Sequence, residues 1–332
     1  MKPIFLSLML SFAVAACAAA NDEPQFSAGP VTAVLFSADG TTVLDAGEHS
    51  FRVRSWPDFD IRAEYDVPGD RIHALVFSDD HRRLLAVGGT SGENVRVDCY
   101  DWPSMTLRFE HSFGEDIAYD GVFLTNCGRA KLAVACHDGS IALLDGEGQV
   151  IAEVNGHSAP VTSLAVMNGR HGLISGSSDN TIRHWVFQPA NDDATDDPSG
   201  GFVLRRSLTN HTGPVTGLAL KPQADPAALP MLTSAGRDRT VRFWQPTIGR
   251  LIRFVRLTTG VTAVAWTKDG SAVVAASEDG SVSRIDHTTL EVTSLLPPTG
   301  DRIHCVAVNP IESTAVVGTA TGHLQQVALP SQ

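Results

Sequence analysis

The pentapeptide Gly-Asp-Arg-Ile-His occurs twice, at residues 69–73 and 300–304, and it carries the side chains best suited to chemistry. A carboxylate, a guanidinium and an imidazole in one short segment can transfer protons, bind a metal ion or pair with polar groups of a partner. A metal site would need a third ligand beside His73 and His304, and no such ligand is evident in the sequence. The two segments therefore favour recognition of another molecule over catalysis.

The short motifs that mark common classes of enzyme are absent from the sequence. It lacks the nucleophile motif G-x-S-x-G, the zinc motif H-E-x-x-H, the P-loop and the dinucleotide-binding motif G-x-G-x-x-G. Its Asp-Gly pairs, such as residues 39–40, 138–139 and 279–280, are typical of tight turns rather than of acid–base catalysis. We expect no catalytic residue, no cofactor and no bound metal.

Four cysteines follow the N-terminal region, and their spacing is wide and irregular: Cys99, Cys127, Cys136 and Cys305. There is no C-x-x-C pair, so the sequence predicts neither a redox dithiol nor c-type haem attachment. Cys136 and Cys305 lie in apolar runs, which favours buried thiols. A disulfide between Cys127 and Cys136 within one hairpin stays open as an alternative.

The charge balance excludes a general nucleic-acid-binding role. The 332 residues include 37 acidic and 25 basic ones, giving a formal net charge of −12. A nucleic-acid binder neutralises phosphates with an excess of lysine and arginine, which this chain lacks. We expect a monomer whose partners are proteins.

A short apolar strand recurs seven times at intervals of 41 to 54 residues, and this periodicity determines the expected fold. Each recurrence opens a repeat with the same order of segments, namely an apolar strand, a turn, a small-residue strand, a tight polar turn, a third strand and a more polar fourth strand. We number the repeats one to seven by the first residue of that apolar strand: Val31, Ile72, Ala118, Val161, Val215, Val261 and Ile303. A four-stranded sheet of this size cannot bury both of its faces alone, whereas seven sheets arranged radially can. The sequence thus predicts an all-β, seven-bladed β-propeller of four-stranded antiparallel blades.

Residues 155–186 (NGHSAPVTSL to ISGSSDNTIRHWV) and 210–245 (NHTGPVTGLAL to LTSAGRDRTVRFWQ) resemble units of the WD-repeat β-propeller family. The resemblance implies a buried, hydrogen-bonded tetrad in each of these repeats. For repeat four its members are His157, Ser175, Asp179 and Trp185. For repeat five they are His211, Ser234 or a neighbouring residue, Asp238 and Trp244. The other repeats depart from the motif, so we expect apolar packing to hold them.

The resemblance also implies where polar side chains meet. In this family, one face of the propeller carries the second-to-third-strand turns and the starts of the first strands. The residues expected there form a surface for a protein partner: His49, Asp70, Arg71, His137, Arg237, Glu278, Asp301 and Arg302. Ordinary turn chemistry is the alternative interpretation of these residues.

The N-terminal residues 1–20 are typical of an export signal, with one lysine followed by an apolar run that is too short to span a membrane. Cleavage before Cys17, which follows Val-Ala-Ala, would produce a bacterial lipoprotein, whereas cleavage after Ala20 would release a soluble protein. We expect the propeller to cover residues 26–330, with Glu23–Ala28 supplying the outer strand of its last blade. The mature protein would be periplasmic, or an outer-membrane lipoprotein facing the periplasm.

Two functions follow from this interpretation. The first is a non-enzymatic, exported scaffold for protein–protein interaction. The second is a propeller enzyme of the lactonase or quinoprotein kind, with a metal or cofactor in the central channel. Such an enzyme needs acidic residues and histidines at the starts of the first strands, where most repeats have Val-Thr. The scaffold is therefore the preferred prediction.

Overall fold

A computed structural model describes residues 29–167, 172–189, 200–222 and 228–330, apart from the side chains of residues 68–69. In these ranges the regular elements are β-strands. The described residues include no helix long and apolar enough to cross a membrane. The prediction of an all-β fold built from antiparallel sheets is confirmed. The predicted signal segment, Cys17 and the outer strand over Glu23–Ala28 lie outside the described residues.

Repeats one and two together form a sheet of seven strands in chain order. Its strands are β1 (Ala33–Phe36), β2 (Thr42–Ala46), β3 (Glu48–Ser55), β4 (Ile61–Phe77), β5 (Arg83–Thr90), β6 (Asn94–Asp101) and β7 (Thr106–Phe113).

Repeats three to six each form a separate four-stranded antiparallel sheet. Repeat three has β8 (Ala118–Cys127), β9 (Ala130–Cys136), β10 (Ile141–Leu144) and β11 (Val150–Val154); repeat four has β12 (Val161–Met167), β13 (Gly172–Ser177), β14 (Ile182–Gln188) and β15 (Gly201–Leu208). Repeat five has β16 (Val215–Leu220), β17 (Leu232–Gly236), β18 (Thr240–Gln245) and β19 (Arg250–Arg256); repeat six has β20 (Val261–Trp266), β21 (Ala272–Ser277), β22 (Val282–Asp286) and β23 (Val292–Leu296). Repeat seven contributes a three-stranded sheet of β24 (Ile303–Val308), β25 (Thr314–Thr319) and β26 (Leu324–Ala328).

The joined sheet differs from the expectation of one separate sheet per repeat. β4 is 17 residues long and serves two repeats, because its first half pairs with β3 and its second half pairs with β5. Glu48 and Arg71 still pair across β3 and β4, so the backbone stays extended where the other repeats have a loop. The same strand is thus the outer strand of repeat one and the first strand of repeat two.

The first strands of successive repeats lie side by side, and β24 of repeat seven contacts β1 of repeat one. The amide of Val31 donates to the carbonyl of Thr319 at 3.0 Å across this junction. Apolar side chains fill the spaces between neighbouring sheets; Val97 packs with Leu132 between repeats two and three, and Phe36 with Val316 between repeats one and seven. Each sheet thereby hides its faces from water against its neighbours.

The four described cysteines are free thiols. Cys136 pairs with Ala118 at one end of the β8–β9 hairpin, whereas Cys127 pairs with Ala130 at the other end. The two sulfurs are therefore at opposite ends of the hairpin, and the alternative of a disulfide between them is wrong.

Candidate functional site

The four residues expected as a tetrad in repeat four are in hydrogen-bond contact. His157 Nδ1 lies 2.8 Å from an Asp179 carboxylate oxygen, and His157 Nε2 lies 2.7 Å from Ser175 Oγ. The indole Nε1 of Trp185 donates to the same Ser175 Oγ at 2.8 Å. These hydrogen bonds connect the turn after β13, the loop before β12 and the strand β14, which carry Asp179, His157 and Trp185 respectively.

The protonation states in this tetrad follow from its surroundings. Burial raises the pKa of Asp179, but hydrogen bonds from the Thr181 hydroxyl and from His157 outweigh it and bring the pKa to about 2. Burial lowers the pKa of His157 despite the neighbouring carboxylate. A neutral imidazole therefore donates from Nδ1 to an ionised carboxylate and accepts at Nε2 from the serine hydroxyl.

Repeat five carries the same arrangement, and Ser234 itself supplies the serine. His211 lies 2.9 Å from Asp238 and 2.7 Å from Ser234 Oγ, which accepts the Trp244 indole N–H at 2.9 Å. Arg242 adds an ion pair to Asp238 at 3.2 Å. Since all these groups are buried and satisfied, their role is to support the fold rather than to react.

Repeats one and two have other residues at the positions of the tetrad serine and tryptophan, and in each repeat a buried carboxylate bonds to the residue at the tryptophan position, which sequence reasoning missed. In repeat one, Asp45 and Arg54 stand at these two positions of the register and form an ion pair at 2.5 Å. In repeat two, Tyr100 stands at the tryptophan position and donates to Asp98 at 3.3 Å. Burial raises the pKa of Asp98 to about 6, although Arg96 opposes the shift. Cross-strand register is needed to find these substitutions, because no motif marks them.

The residues expected as a partner surface lie at the end of the sheets where the first strands begin, which we call the upper face. In each antiparallel pair the start of the first strand lies opposite the end of the second strand, as Val161 lies opposite Ser177. The second turns therefore project from the same end as the first-strand starts. This places the turns that carry His49, His137, Arg237 and Glu278 on the upper face.

Ion pairs link several repeats across the upper face. A Glu278 carboxylate oxygen lies 3.6 Å from Arg237 Nε and 3.5 Å from Arg302 Nη2, so repeats five, six and seven meet at one acidic side chain. Arg71 pairs with Glu48. The side chains of these three arginines remain between 39% and 54% exposed. The carboxylate of Asp301 accepts from the Thr321 hydroxyl.

Aromatic side chains and imidazoles line another part of the upper face. The Tyr119 hydroxyl lies 2.8 Å from His137 Nδ1, and the ring of His73 packs edge-on against Tyr119 at 5.5 Å. His137 Nε2 lies 3.8 Å from Asp116. Burial, then Arg71 and then His304 lower the pKa of His73 to about 4, so this imidazole is neutral at pH 7.

This aromatic side of the face departs from the pattern of the other repeats. At the second position of the first strand, repeats one, four, five and six have threonine. The hydroxyls of Thr162 and Thr216 each donate at 2.7 Å to a carbonyl of the next repeat. Repeats two, three and seven have His73, Tyr119 and His304 at this position instead of threonine. Their rings make this side of the upper face aromatic.

A cavity of about 390 Å³ opens at this side of the upper face. Its lining comes from repeats one, two and three and includes Glu48, His49, Arg71, His73, Ser91 and Ile117. The lining combines charged, imidazole and apolar groups, which suits contact with a mixed polar surface better than an apolar small molecule.

Asp70 is not part of this surface, contrary to the expectation. It is buried, and its carboxylate accepts from Thr90 Oγ1 at 2.9 Å and pairs with Arg96 at 3.3 Å. These contacts anchor the middle of β4 to the next hairpin. Asp301, its counterpart in repeat seven, stays partly exposed.

Within the described ranges, no group of three or more histidine, cysteine, aspartate or glutamate side chains is arranged to hold a metal ion. His73 and His304 lie near each other on the upper face, but a third such ligand does not join them there.

Three segments of the chain match the model of the family described as "WD domain, G-beta repeat": residues 148–186, 202–245 and 251–286. The first two of these segments contain all eight residues of the two tetrads. These segments resemble WD repeats.

Several curated proteins are similar to the chain. "Telomerase protein component 1" of Mus musculus is 27% identical over 312 residues, which is 88% of this chain and 11% of that protein. "Nuclear distribution protein PAC1" of Gibberella zeae is 28% identical over 50% of the chain and 35% of its own length. "Protein transport protein sec13" of Neurospora crassa is 27% identical over 35% of the chain and 36% of its own length. The chain thus spans about a tenth of the telomerase component and about a third of the other two.

Proposed function

We propose that this protein is a non-enzymatic scaffold that holds a protein partner on its upper face. The observation that carries the proposal is the convergence of ion-paired arginines, imidazoles and an aromatic side chain at one end of the sheets, around the 390 Å³ cavity. Such a mixture provides directional polar contacts around an apolar centre.

The matches to WD repeats support this proposal, because proteins with such repeats generally act as interaction scaffolds. The names of the similar proteins refer to a telomerase component, to nuclear distribution and to protein transport. A scaffold presents rigid loops and needs no reactive centre. A channel enzyme would need a ligand set for its metal or cofactor, and the threonines at the first-strand starts are instead engaged in bridging neighbouring repeats.

We propose seven blades, of which the first two share β4 and the seventh is completed by residues 23–28. Support comes from the seven first strands and from the chain path at residue 29. In the other repeats, four to six residues connect the end of the outer strand to the next first strand, as between Val154 and Val161. Four residues, 29 to 32, likewise separate residue 28 from the start of β1 at Ala33, and β26 has a hydrogen-bonded neighbour on one side only among the described strands.

The proposed setting is the periplasm, reached through the signal segment of residues 1–20. Modification of Cys17 would anchor the protein to a membrane, and five residues between Cys17 and Glu23 would form at most about 18 Å of tether. The propeller would then sit close to the membrane surface.

The proposal predicts that charge reversal on the upper face removes partner binding without unfolding the protein. The experiment compares wild type with the double variant Arg71→Glu, Arg302→Glu by crosslinking in native cells and mass spectrometry of the captured protein. A second double variant, Arg62→Glu with Arg82→Glu, is the matched control, because it reverses two exposed arginines away from this face. Specific capture should fall by about tenfold or more only in the first variant. Equal capture by all three proteins at equal thermal midpoints would refute the proposed face.

A further inference from the structure

A second surface of the molecule, on the outer strands of repeats four and five, is basic although the chain as a whole is acidic. Residues 200–257 contain nine lysines and arginines and two aspartates, whereas the complete chain has a net charge of −12. Among these basic residues Arg205 and Arg206 lie exposed on β15, and Arg250 and Arg256 lie exposed on β19. These four side chains place positive charge at the rim, separate from the upper face, to which Arg237 of the same segment belongs.

The same surface exposes large apolar side chains. Of the nine large apolar residues exposed in the described ranges, four lie here: Val203, Leu204, Ile248 and Phe254. Phe254 is 48% exposed, and the buried Arg242 guanidinium lies 5.3 Å from the centre of its ring. Basic residues alone would protect an outer strand from unwanted pairing, but exposed aromatic and aliphatic groups between them favour association.

The two outer strands are held in fixed relative positions. Arg206 of β15 donates from Nε to the carbonyl of Thr247 at 2.9 Å, in the turn that leads into β19. Arg253 of β19 donates in turn to the carbonyl of His287 in repeat six at 3.1 Å. The exposed arginines thus stand on a rigid rim that is preorganised for binding.

β19 also has an open edge. Among the strands that the structure describes, it is the last of its sheet and pairs with β18 alone. Its outer backbone N–H and C=O groups can therefore pair with a further extended strand, whose side chains would meet Phe254 and the arginines. A bilayer surface offers no such ladder of backbone partners, so these groups favour a peptide over a membrane.

We propose that the outer edge of β19 binds an extended acidic segment of a partner protein as an added strand. Its acidic side chains pair with Arg250 and Arg256, and its apolar side chains cover Ile248 and Phe254. This surface goes beyond the proposed scaffold function of the upper face and would let the molecule join two partners at once.

The test measures the anisotropy of a labelled short peptide of Glu-Glu-Val-Val repeats, which carries both residue types on each face of an extended strand, as it is titrated with the purified protein. A second peptide of the same sequence carries methyl groups on alternate backbone nitrogens, so that it cannot form the ladder. We expect saturable binding of the first peptide only. The double variant Arg250→Glu, Arg256→Glu should weaken binding by about tenfold or more at low salt.

The matched control is Arg62→Glu, which reverses an exposed arginine on the outer half of β4 and should leave affinity unchanged within about twofold. Equal binding of the methylated peptide would show charge attraction without strand addition and would overturn the proposal. Failure of the first peptide to bind would also overturn the proposal. If phosphatidylglycerol vesicles then bind to wild type and not to the double variant, the surface binds an anionic membrane and the proposed peptide is wrong.

Discussion

In the tetrads of repeats four and five, the hydrogen bond from the tryptophan N–H decides which group donates and which accepts in every other contact. Each serine hydroxyl can donate only once, and it donates to the imidazole because the tryptophan N–H already points at its oxygen. The imidazole then has its proton on Nδ1, facing an ionised aspartate. A buried network of this kind is stabilising only when every member is satisfied, so the loss of one residue leaves the others unpaired.

Replacement of Trp244 by alanine should therefore destabilise the protein strongly. The indole is fully buried and donates to Ser234 Oγ. We expect the free energy of unfolding to fall by about 3–5 kcal/mol for Trp244→Ala. Trp244→Phe keeps an aromatic ring without the N–H and should cost less. Urea unfolding of both variants measures the difference, and an unchanged midpoint for Trp244→Ala would contradict the buried position of this residue.

At the scale of elements, side chains at the start of the first strands bind one repeat to the next. Asp120 of β8 accepts the backbone N–H of Leu164 in β12 at 2.8 Å, and Ser163 of β12 accepts the N–H of Leu218 in β16 at 3.1 Å. These bonds join strands that belong to separate sheets. They supplement the apolar packing between repeats.

The Asp120 contact predicts a dependence of stability on pH. Burial raises the pKa of Asp120 from 3.8 to about 6, although the N–H groups of Leu164 and Gly121 offset part of the shift. Because the folded pKa lies above the unfolded one, the stabilising contribution is complete below about pH 4 and is lost as the pH rises through about 6.

Asp120→Asn does not titrate at this position, so its unfolding free energy should rise relative to wild type across that interval, by about 3 kcal/mol. Urea unfolding of both proteins at pH values below, within and above the interval measures the change. Other carboxyl groups titrate in both proteins and cancel in the comparison. A difference that stays constant with pH would rule out a raised pKa at Asp120.

Most strands could be predicted from the sequence, because the apolar segments at Ala118, Val161, Val215, Val261 and Ile303 each begin a first strand. The tetrad residues could be named for the same reason, since their spacing within a repeat is local. The continuous β4 could not be predicted, because its extended backbone depends on pairing with β3 and β5 together. The burial of Asp70 was missed because its partners Thr90 and Arg96 lie about one hairpin away.

At the scale of the whole molecule, the proposed lipid anchor predicts where the protein is found in the cell. Replacement of Cys17 by serine removes the only sulfur at the proposed cleavage site. We expect Cys17→Ser to move the protein from the membrane fraction to the soluble fraction, as followed by immunoblotting after fractionation. Membrane retention of the variant would exclude lipidation as the anchor.

The central claim is that the repeats close into a ring, with repeat seven against repeat one, so that only rim and face residues can contact partners. The sulfur of Cys305 lies 3.7 Å from the carbonyl oxygen of Val31, across the junction of β24 and β1. In a closed ring, Val31→Cys should form a disulfide with native Cys305 on mild oxidation, because the Val31 side chain and the Cys305 sulfur both lie against Gly318 and close to each other.

The decisive measurement is peptide mapping by mass spectrometry of the oxidised Val31→Cys variant, with Thr41→Cys as a control that places a thiol elsewhere in repeat one. The ring predicts one crosslinked peptide pair joining residues 31 and 305, together with faster migration on a non-reducing gel. An intact thiol at both positions in a folded variant would contradict the closed ring and, with it, the restriction of binding to the rim and the upper face.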